Sequence, residues 1–356
     1  MKEKTVQTLP TEFGYAVQNV TMDEIKRERA IEAHTEVREL LENDPELCSW
    51  GISTRLIGSY ARHTARYPGK DVDVFLRFTG LTIRSNPKVV YEAVARVLVD
   101  KYGEKDVDPG GRVTRQPRSL KIVFTNPDEP DENLSFSIDA VPAVPWGEHW
   151  GIPNRDTTRW ASQTPEDRWI KTNPIQFADD SEALSVSTTS PTVGTINAYC
   201  PVVRLLRQVR HVHLGDARPG GLFVEVLAYY AWKNNKVKGS SWAELLTSTL
   251  AAVAAGCADA AQTGLPDPVL RTAMKPELSP QQWLHAVSVF ERLARQAQQA
   301  LDAEKCQAAK LWRDLLGSND RGQILPLPAG CDANGFPIAS VASVAAVGSD
   351  EPRGFA

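Results

Sequence analysis

The chemistry most legible in this chain lies in the run LIGSYARHTARYPGKDVDVFLRF, in the pair Gly58-Ser59 and the triplet Asp71-Val72-Asp73. Arg55-Leu56-Ile57 reads as the end of a strand. Gly58 permits a sharp turn with no side chain in the way. Ser59 stands where a helix would begin, with free N–H groups and a hydroxyl to receive a phosphate. The turn Tyr67-Pro68-Gly69-Lys70 leads into Asp71 to Phe78, a run of strand composition. Strand side chains alternate, so Asp71 and Asp73 project to one side, about 7 Å apart. Two hard carboxylates opposite a phosphate cradle suit Mg²⁺, which binds through a few carboxylates and substrate phosphate oxygens. Either motif alone is more often a plain turn or a solvated strand face; their order and separation favour a phosphoryl-transfer site.

A third carboxylate extends the set. Residues 133–142 (NLSFSIDAVP) alternate apolar and polar residues and reach a proline, which predicts a strand ending there. Phe136 and Ile138 face one way, and Ser135, Ser137 and Asp139 the other. A carboxylate on an otherwise buried strand is costly unless paired or metal-bound. With a neighbouring strand over Ser119–Thr125, Asp139 would join Asp71 and Asp73 in a two-metal site. One Mg²⁺ (or Mn²⁺) would activate a hydroxyl and the other would clamp a triphosphate and its leaving pyrophosphate.

These groups need elements to position them. Residues 22–43 have helical period, with Thr21 as N-cap, Glu24 closing a capping box, and Ile25, Ala30, Ile31, Val37, Leu40 and Leu41 as the apolar stripe. Residues 87–102 predict a second amphipathic helix opened by Pro87. From Pro142 to about Thr192 the chain is rich in Trp, Pro, Asn and Asp with little period, which predicts a long ordered crossover loop. Helices are expected at about 195–213, 221–236, 241–256 and, as one long element, 280–316. On the first of these Arg204, Arg207 and His211 share a face at i, i+3 and i+7. Such a cationic stripe suits a triphosphate. Glu225, in the apolar run GLFVEVL, needs a partner, and one of these arginines is the candidate. His211 and His213 read as helix-end residues. The last forty residues lack period and predict a flexible tail. The expected divisions are therefore an N-terminal segment (1–20), a catalytic lobe with its crossover (21–192), a helical nucleotide-binding lobe (193–318) and the tail (319–356).

At 356 residues, 42% hydrophobic and 24% charged, the composition is that of a globular protein able to bury two packed lobes. A net charge of −4 argues against nucleic-acid binding by bulk electrostatics. No apolar run is long enough to span a bilayer, and no secretory signal opens the chain. The five scattered cysteines (Cys48, Cys200, Cys257, Cys306, Cys331) include no Cys-x-x-Cys pair, so they argue against zinc and fit a reducing cytoplasm.

Gly58-Ser59, Asp71-x-Asp73 and the distant Asp139 resemble the signature of the DNA polymerase β nucleotidyltransferase superfamily. Further elements narrow the resemblance: Asn154-Arg155-Asp156-Thr157, the arginine-bearing helix, the GLFVEVL helix and Leu311-Trp312-Arg313-Asp314-Leu315-Leu316-Gly317. Together they look like bacterial CD-NTases, the cyclic-oligonucleotide synthases of anti-phage (CBASS) signalling, related to cyclic GMP-AMP synthase and oligoadenylate synthase. The resemblance covers roughly residues 20–320, and the LWRDLLG segment with the tail beyond it points to clade D. It implies an α/β (α+β), two-lobed, polymerase β-like fold with a mixed-sheet catalytic lobe and a C-terminal helical lobe. It further implies ATP, with GTP, as substrates and two metal ions on Asp71, Asp73 and Asp139. Gly58, Ser59, Arg204 and Arg207 would bind nucleotide. A chain end Pro352-Arg353-Gly354-Phe355-Ala356 resembles those relatives that a ubiquitin-like conjugation enzyme links through the C-terminus. Many relatives carry lysine at the position of Arg207 and serine at that of Gly221. The zinc insertion of the animal enzyme is absent, so duplex-DNA activation is not implied. A linear oligoadenylate or tRNA-tailing enzyme would share the three aspartates, although tailing favours a more basic surface than this acidic chain has; the intact triad argues against the remaining alternative, a signalling scaffold built on a dead site.

Overall fold

A computed structural model of the chain describes residues 6–69, 71–124, 135–274 and 276–338. Residues Asn133 and Leu134 of the expected third strand, Lys70 of the turn, and the proposed conjugation point Ala356 lie outside the described residues.

Helices α1 (Pro10–Asn19), α2 (Glu24–Glu42) and α3 (Pro45–Ser49) precede strand β1 (Ile52–Ile57). A single-turn helix α4 (Gly58–Ala61) leads to β2 (Asp71–Phe78), α5 (Pro87–Tyr102), β3 (Val113–Arg115), β4 (Leu120–Phe124) and β5 (Phe136–Trp146). The sheet order is β1-β2-β5-β4-β3. β2 and β5 run parallel, and the other pairs are antiparallel. The alternation predicted for β2 holds: Val72, Val74, Leu76 and Phe78 are buried in one core with α2 and α5. That leaves Asp71, Asp73 and Phe75 on the opposite face, where Phe75 packs edge-on against Trp150 at 5.9 Å.

Several expectations are corrected. The cap of α2 is Asp23, whose carboxylate accepts from Lys26 N–H, not Thr21. Ile25 and Ile31 are exposed, while Lys26 and His34 are buried. Lys26 is buried with its ammonium 4.8 Å from the Tyr67 ring centroid, a cation–π contact. β5 does not end at Pro142 but runs on to Trp146. β4 pairs only as far as Ala140, and the next partner begins at Val144, so on that side Pro142 has no ladder to break.

The expected crossover loop is mostly regular structure. It contains β6 (His149–Pro153), a 3₁₀ turn (Thr157–Ala161), α6 (Pro165–Arg168), β7 (Trp169–Thr172) and α7 (Pro174–Val186). β6 and β7 extend the sheet from the far end of β5. Strands of four or five residues carry too few positions to display a period. What anchors the segment is aromatic burial: Trp169 is 1% exposed, and the Trp160 indole donates to the Asn154 carbonyl at 2.8 Å.

A short hairpin, β8 (Thr192–Val193) and β9 (Ile196–Asn197), leads into the helical lobe. That lobe contains α8 (Tyr199–Leu214), α9 (Gly221–Lys233), α10 (Trp242–Thr263), the pair β10 (Leu265–Pro266) and β11 (Ala273–Met274), α11 (Pro280–Asp302) and α12 (Lys305–Leu316). The single helix expected over 280–316 is therefore two, broken where Ala303 turns extended. No glycine or proline marks that break. α1 belongs to this second core: Phe13 is fully buried and meets Trp312 edge-on at 4.9 Å.

The described part of the expected tail is packed as well. β12 (Ser318–Asn319) and β13 (Gly322–Gln323) form a hairpin, Ile324 and Leu325 are fully buried, and Cys331 is disulfide-bonded to Cys306 with Cα atoms 5.2 Å apart. The spacing of the cysteines gave no sign of that pairing; it arises because the segment folds back across the start of α12. No helix among the described residues is long and apolar enough to cross a membrane.

Candidate active site

β2 and β5 lie side by side in parallel register with Asp73 opposite Asp139 and Asp71 opposite Ser137. Two carboxylates on adjacent strands thus face the same side of the sheet. β1 ends at Ile57, paired with Asp73, and the chain reverses at Gly58 with φ +70°. Here glycine is required twice. A side chain at this φ is strained, and a Cβ would lie 2.8 Å from Cγ of Asp73 and nearer still to Oδ2. The single turn α4 follows, placing Ser59 at the floor of the same cleft.

The cleft has a volume of about 570 Å³ and is lined from both lobes. Gly58, Ser59, Asp71, Asp73 and Asp139 come from the sheet lobe, Arg207, Leu222 and Glu225 from the helical lobe, and Asn173 from the segment between them. Arg207 therefore joins the aspartates, as the sequence suggested. Arg204 does not line the cleft; it sits one turn earlier beside Cys200, with Nε enclosed and without a partner.

Electrostatics distinguish the three aspartates. Burial, then the neighbouring charges of Asp139 and Asp71, raise the Asp73 carboxyl to about 6, against the opposing pull of Arg62 and Arg207. Burial also raises Asp139 to about 6, opposed by Lys121. Oδ1 of Asp139 is buried and makes no hydrogen bond. Asp71 is the exposed member: its Oδ1 accepts from Ser137 Oγ at 2.6 Å and from Lys121 Nζ at 3.2 Å. Among the described residues, no three His, Cys, Asp or Glu side chains converge closely enough as they stand to hold an ion between them. The donor chemistry fits a hard divalent cation all the same. Two desolvated carboxylates lie in register, one with an orphaned oxygen, and a cation is the partner that would relieve both.

Beneath Ser59 lies a group of residues that the motif reading missed. Arg62 donates from Nε and Nη2 to the two carboxylate oxygens of Glu225 at 2.7 and 3.2 Å. Thr64 Oγ1 donates to Glu225 Oε1 at 2.7 Å. Arg207 Nη1 reaches Glu225 Oε2 at 3.4 Å and the Thr64 carbonyl at 3.1 Å. Burial pushes the Glu225 carboxyl up, but the charges of Arg62 and Arg207 and the bonds from Arg62 and Thr64 outweigh it, and the group titrates below its ordinary range. The sequence signal was Glu225 itself, a charge on an apolar helix. One predicted partner, Arg207, is present; the closer one, Arg62, stands three residues after Ser59.

No protein-family model and no curated protein matches the chain. Solved structures do. The CD-NTase CdnG of Bradyrhizobium diazoefficiens, in complex with GTP, is similar at 17% identity and TM-score 0.63 over 86% of this chain and 94% of its own. CdnC of E. coli MS115-1, solved with ATP, is similar at 16% identity and TM-score 0.60 over 89% and 99%. DncV of Vibrio cholerae, a cyclic AMP-GMP synthase and prokaryotic cGAS homolog, is similar at 16% identity and TM-score 0.56 over 82% and 78%. The fold is thus the two-lobed polymerase β-like fold of the bacterial CD-NTases.

Proposed function

We propose that this protein is a nucleotidyltransferase that joins ribonucleoside triphosphates, ATP with GTP, into a cyclic di- or trinucleotide signal of the anti-phage (CBASS) kind. The observation that carries the reading is the register of Asp73 with Asp139 against the Gly58 turn, at the bottom of a cleft shared by two lobes. The fold shared with nucleotide-bound CD-NTases supports it.

Asp71, Asp73 and Asp139 would hold Mg²⁺ or Mn²⁺. When bound, the ions would polarise the α-phosphate and offset charge on the departing pyrophosphate. Ser59 and the N–H groups of its turn hold the donor phosphates. Arg207 offsets their charge from the helical lobe. Asp139 would complete the metal site and help take the proton of the attacking ribose hydroxyl. A new O–P bond forms in line as the bond to pyrophosphate breaks, so catalysis is mainly positioning and charge stabilisation. Repeating the step within the product closes the ring. Lys121 and Ser137 both contact Oδ1 of Asp71.

The test is incubation with radiolabelled ATP, GTP, CTP and UTP plus Mg²⁺ or Mn²⁺, followed by phosphatase treatment and chromatography. A phosphatase-resistant product is expected. Phosphatase-sensitive ladders alone would identify a linear polymerase, and absence of any product under all conditions would point to a scaffold. Placement in clade D, and conjugation through Ala356 by a ubiquitin-like system, belong to the same proposal and rest on the sequence resemblance.

A further inference from the structure

Glu225 is the sole fully buried carboxylate among the described residues, with no exposed surface. Withdrawing a full charge from water is costly even when it is paired, and an apolar residue of similar volume would often serve packing better. Its position suggests what it does instead. α9, which carries Glu225, belongs to the helical lobe. Its partners Arg62 and Thr64 belong to the sheet lobe, immediately after the turn that presents Ser59. The Thr64 and Ala65 N–H groups both donate to the Ser59 carbonyl, at 2.9 and 3.0 Å. From the Ser59 backbone, then, two hydrogen bonds reach Glu225 by way of Thr64. From Glu225 and the Thr64 carbonyl, two more bonds fix Arg207, which keeps 22% of its side chain exposed toward the cleft. Two guanidiniums against one carboxylate leave a net positive charge beneath the turn.

We infer that Glu225 and Thr64 are positioning residues that lock Arg207 and the Ser59 turn into one rigid grip for a triphosphate, made from both lobes at once. Neither touches the nucleotide. They act by fixing the distance between two groups that do, so their contribution falls on the triphosphate and not on the base or ribose. The inference rests on the proposed nucleotide site.

The test measures binding, by calorimetry in Mg²⁺, of inorganic tripolyphosphate, ATP and AMP to the full-length protein and to Thr64→Val. That variant is nearly isosteric, loses the hydroxyl bond to Glu225 and keeps both ion pairs. Tripolyphosphate and ATP should weaken by about tenfold or more, as expected for loss of a hydrogen bond to a charged group, with AMP affinity unchanged. Thr64→Ser, which restores the hydroxyl, should restore the affinity. If Thr64→Val does not fold, Thr64→Ala supplies the same readout, since it too removes the hydroxyl bond to Glu225 and leaves Arg207 in place. Equal weakening of ATP and AMP, or no weakening of either, overturns the inference alone. Wild-type protein that binds neither ATP nor tripolyphosphate overturns the proposed function and this inference with it.

Discussion

Gly58 and Asp73 occupy each other's space: the carboxylate of Asp73 fills the volume in which any Cβ at position 58 would have to stand. The turn and the carboxylate are therefore coupled, and no side chain can be introduced at position 58 without moving Asp73. Gly58→Ala should displace Asp73 and strain a backbone at φ +70°. The expected result is a loss of nucleotidyl transfer on the order of 100-fold, with stability lowered by about 1–3 kcal/mol. Product formation and thermal unfolding of the variant check both.

Asp73→Asn and Asp139→Asn should each reduce product formation on the order of 10³-fold, since several kcal/mol of charge stabilisation are removed. Both proteins should remain folded. Full activity in either variant would overturn the assignment of these carboxylates.

The same two groups predict how metal-free stability depends on pH. Their folded-state values, about 6, lie above the ordinary carboxylate value of 3.8. The native state therefore binds protons that the unfolded chain has already released. Their favourable contribution is complete below about pH 4 and is lost as pH rises through about 6, on the order of 3 kcal/mol for each group taken alone. Thermal unfolding in chelator should show the melting temperature falling across that window. Asp73→Asn should flatten the fall and melt higher than the native sequence at pH 7.

Reduction of Cys306–Cys331 should destabilise the helical lobe. The bond closes a segment with a separation of 25 residues, worth about 3 kcal/mol by chain entropy. Melting with and without dithiothreitol measures it, and Cys331→Ser should make the protein indifferent to the reductant.

Phe13→Ala should cost about 3–5 kcal/mol, because Phe13 is fully enclosed against Trp312. An N-terminal segment lying loose would instead tolerate the change. Chemical denaturation distinguishes the two.

What the sequence disclosed and what it hid follow from range. β2, α5 and the faces of Asp71, Asp73 and Asp139 were legible because alternation, a helix-opening proline and a glycine turn are all written within a few residues. The closer partner of Glu225 was not, since Arg62 lies 163 positions away and nothing local announces the pairing. The break between α11 and α12 escaped for lack of a breaker residue at Ala303. β6 and β7 escaped because strands so short express no period, and their stability comes from a buried Trp169 that composition alone reads as loop. The ordered stretch 318–338 looked like tail because only a few buried positions, Ile324, Leu325 and Cys331 among them, tie it down.

The placement of α1 bears on how the molecule is made. Asn19 at its end donates to the carbonyl of Ile324, 305 residues later, and Asn319 donates back to the Asn19 carbonyl at 2.9 Å. A ribosome therefore delivers the first helix long before the residues that receive it. The sheet lobe, contiguous in sequence, can fold while α1 waits outside with Phe13 uncovered, and the helical lobe closes only after Ile324 has emerged. A nascent chain can thus bring Asp73 and Asp139 together before the helical side of the cleft has closed over them.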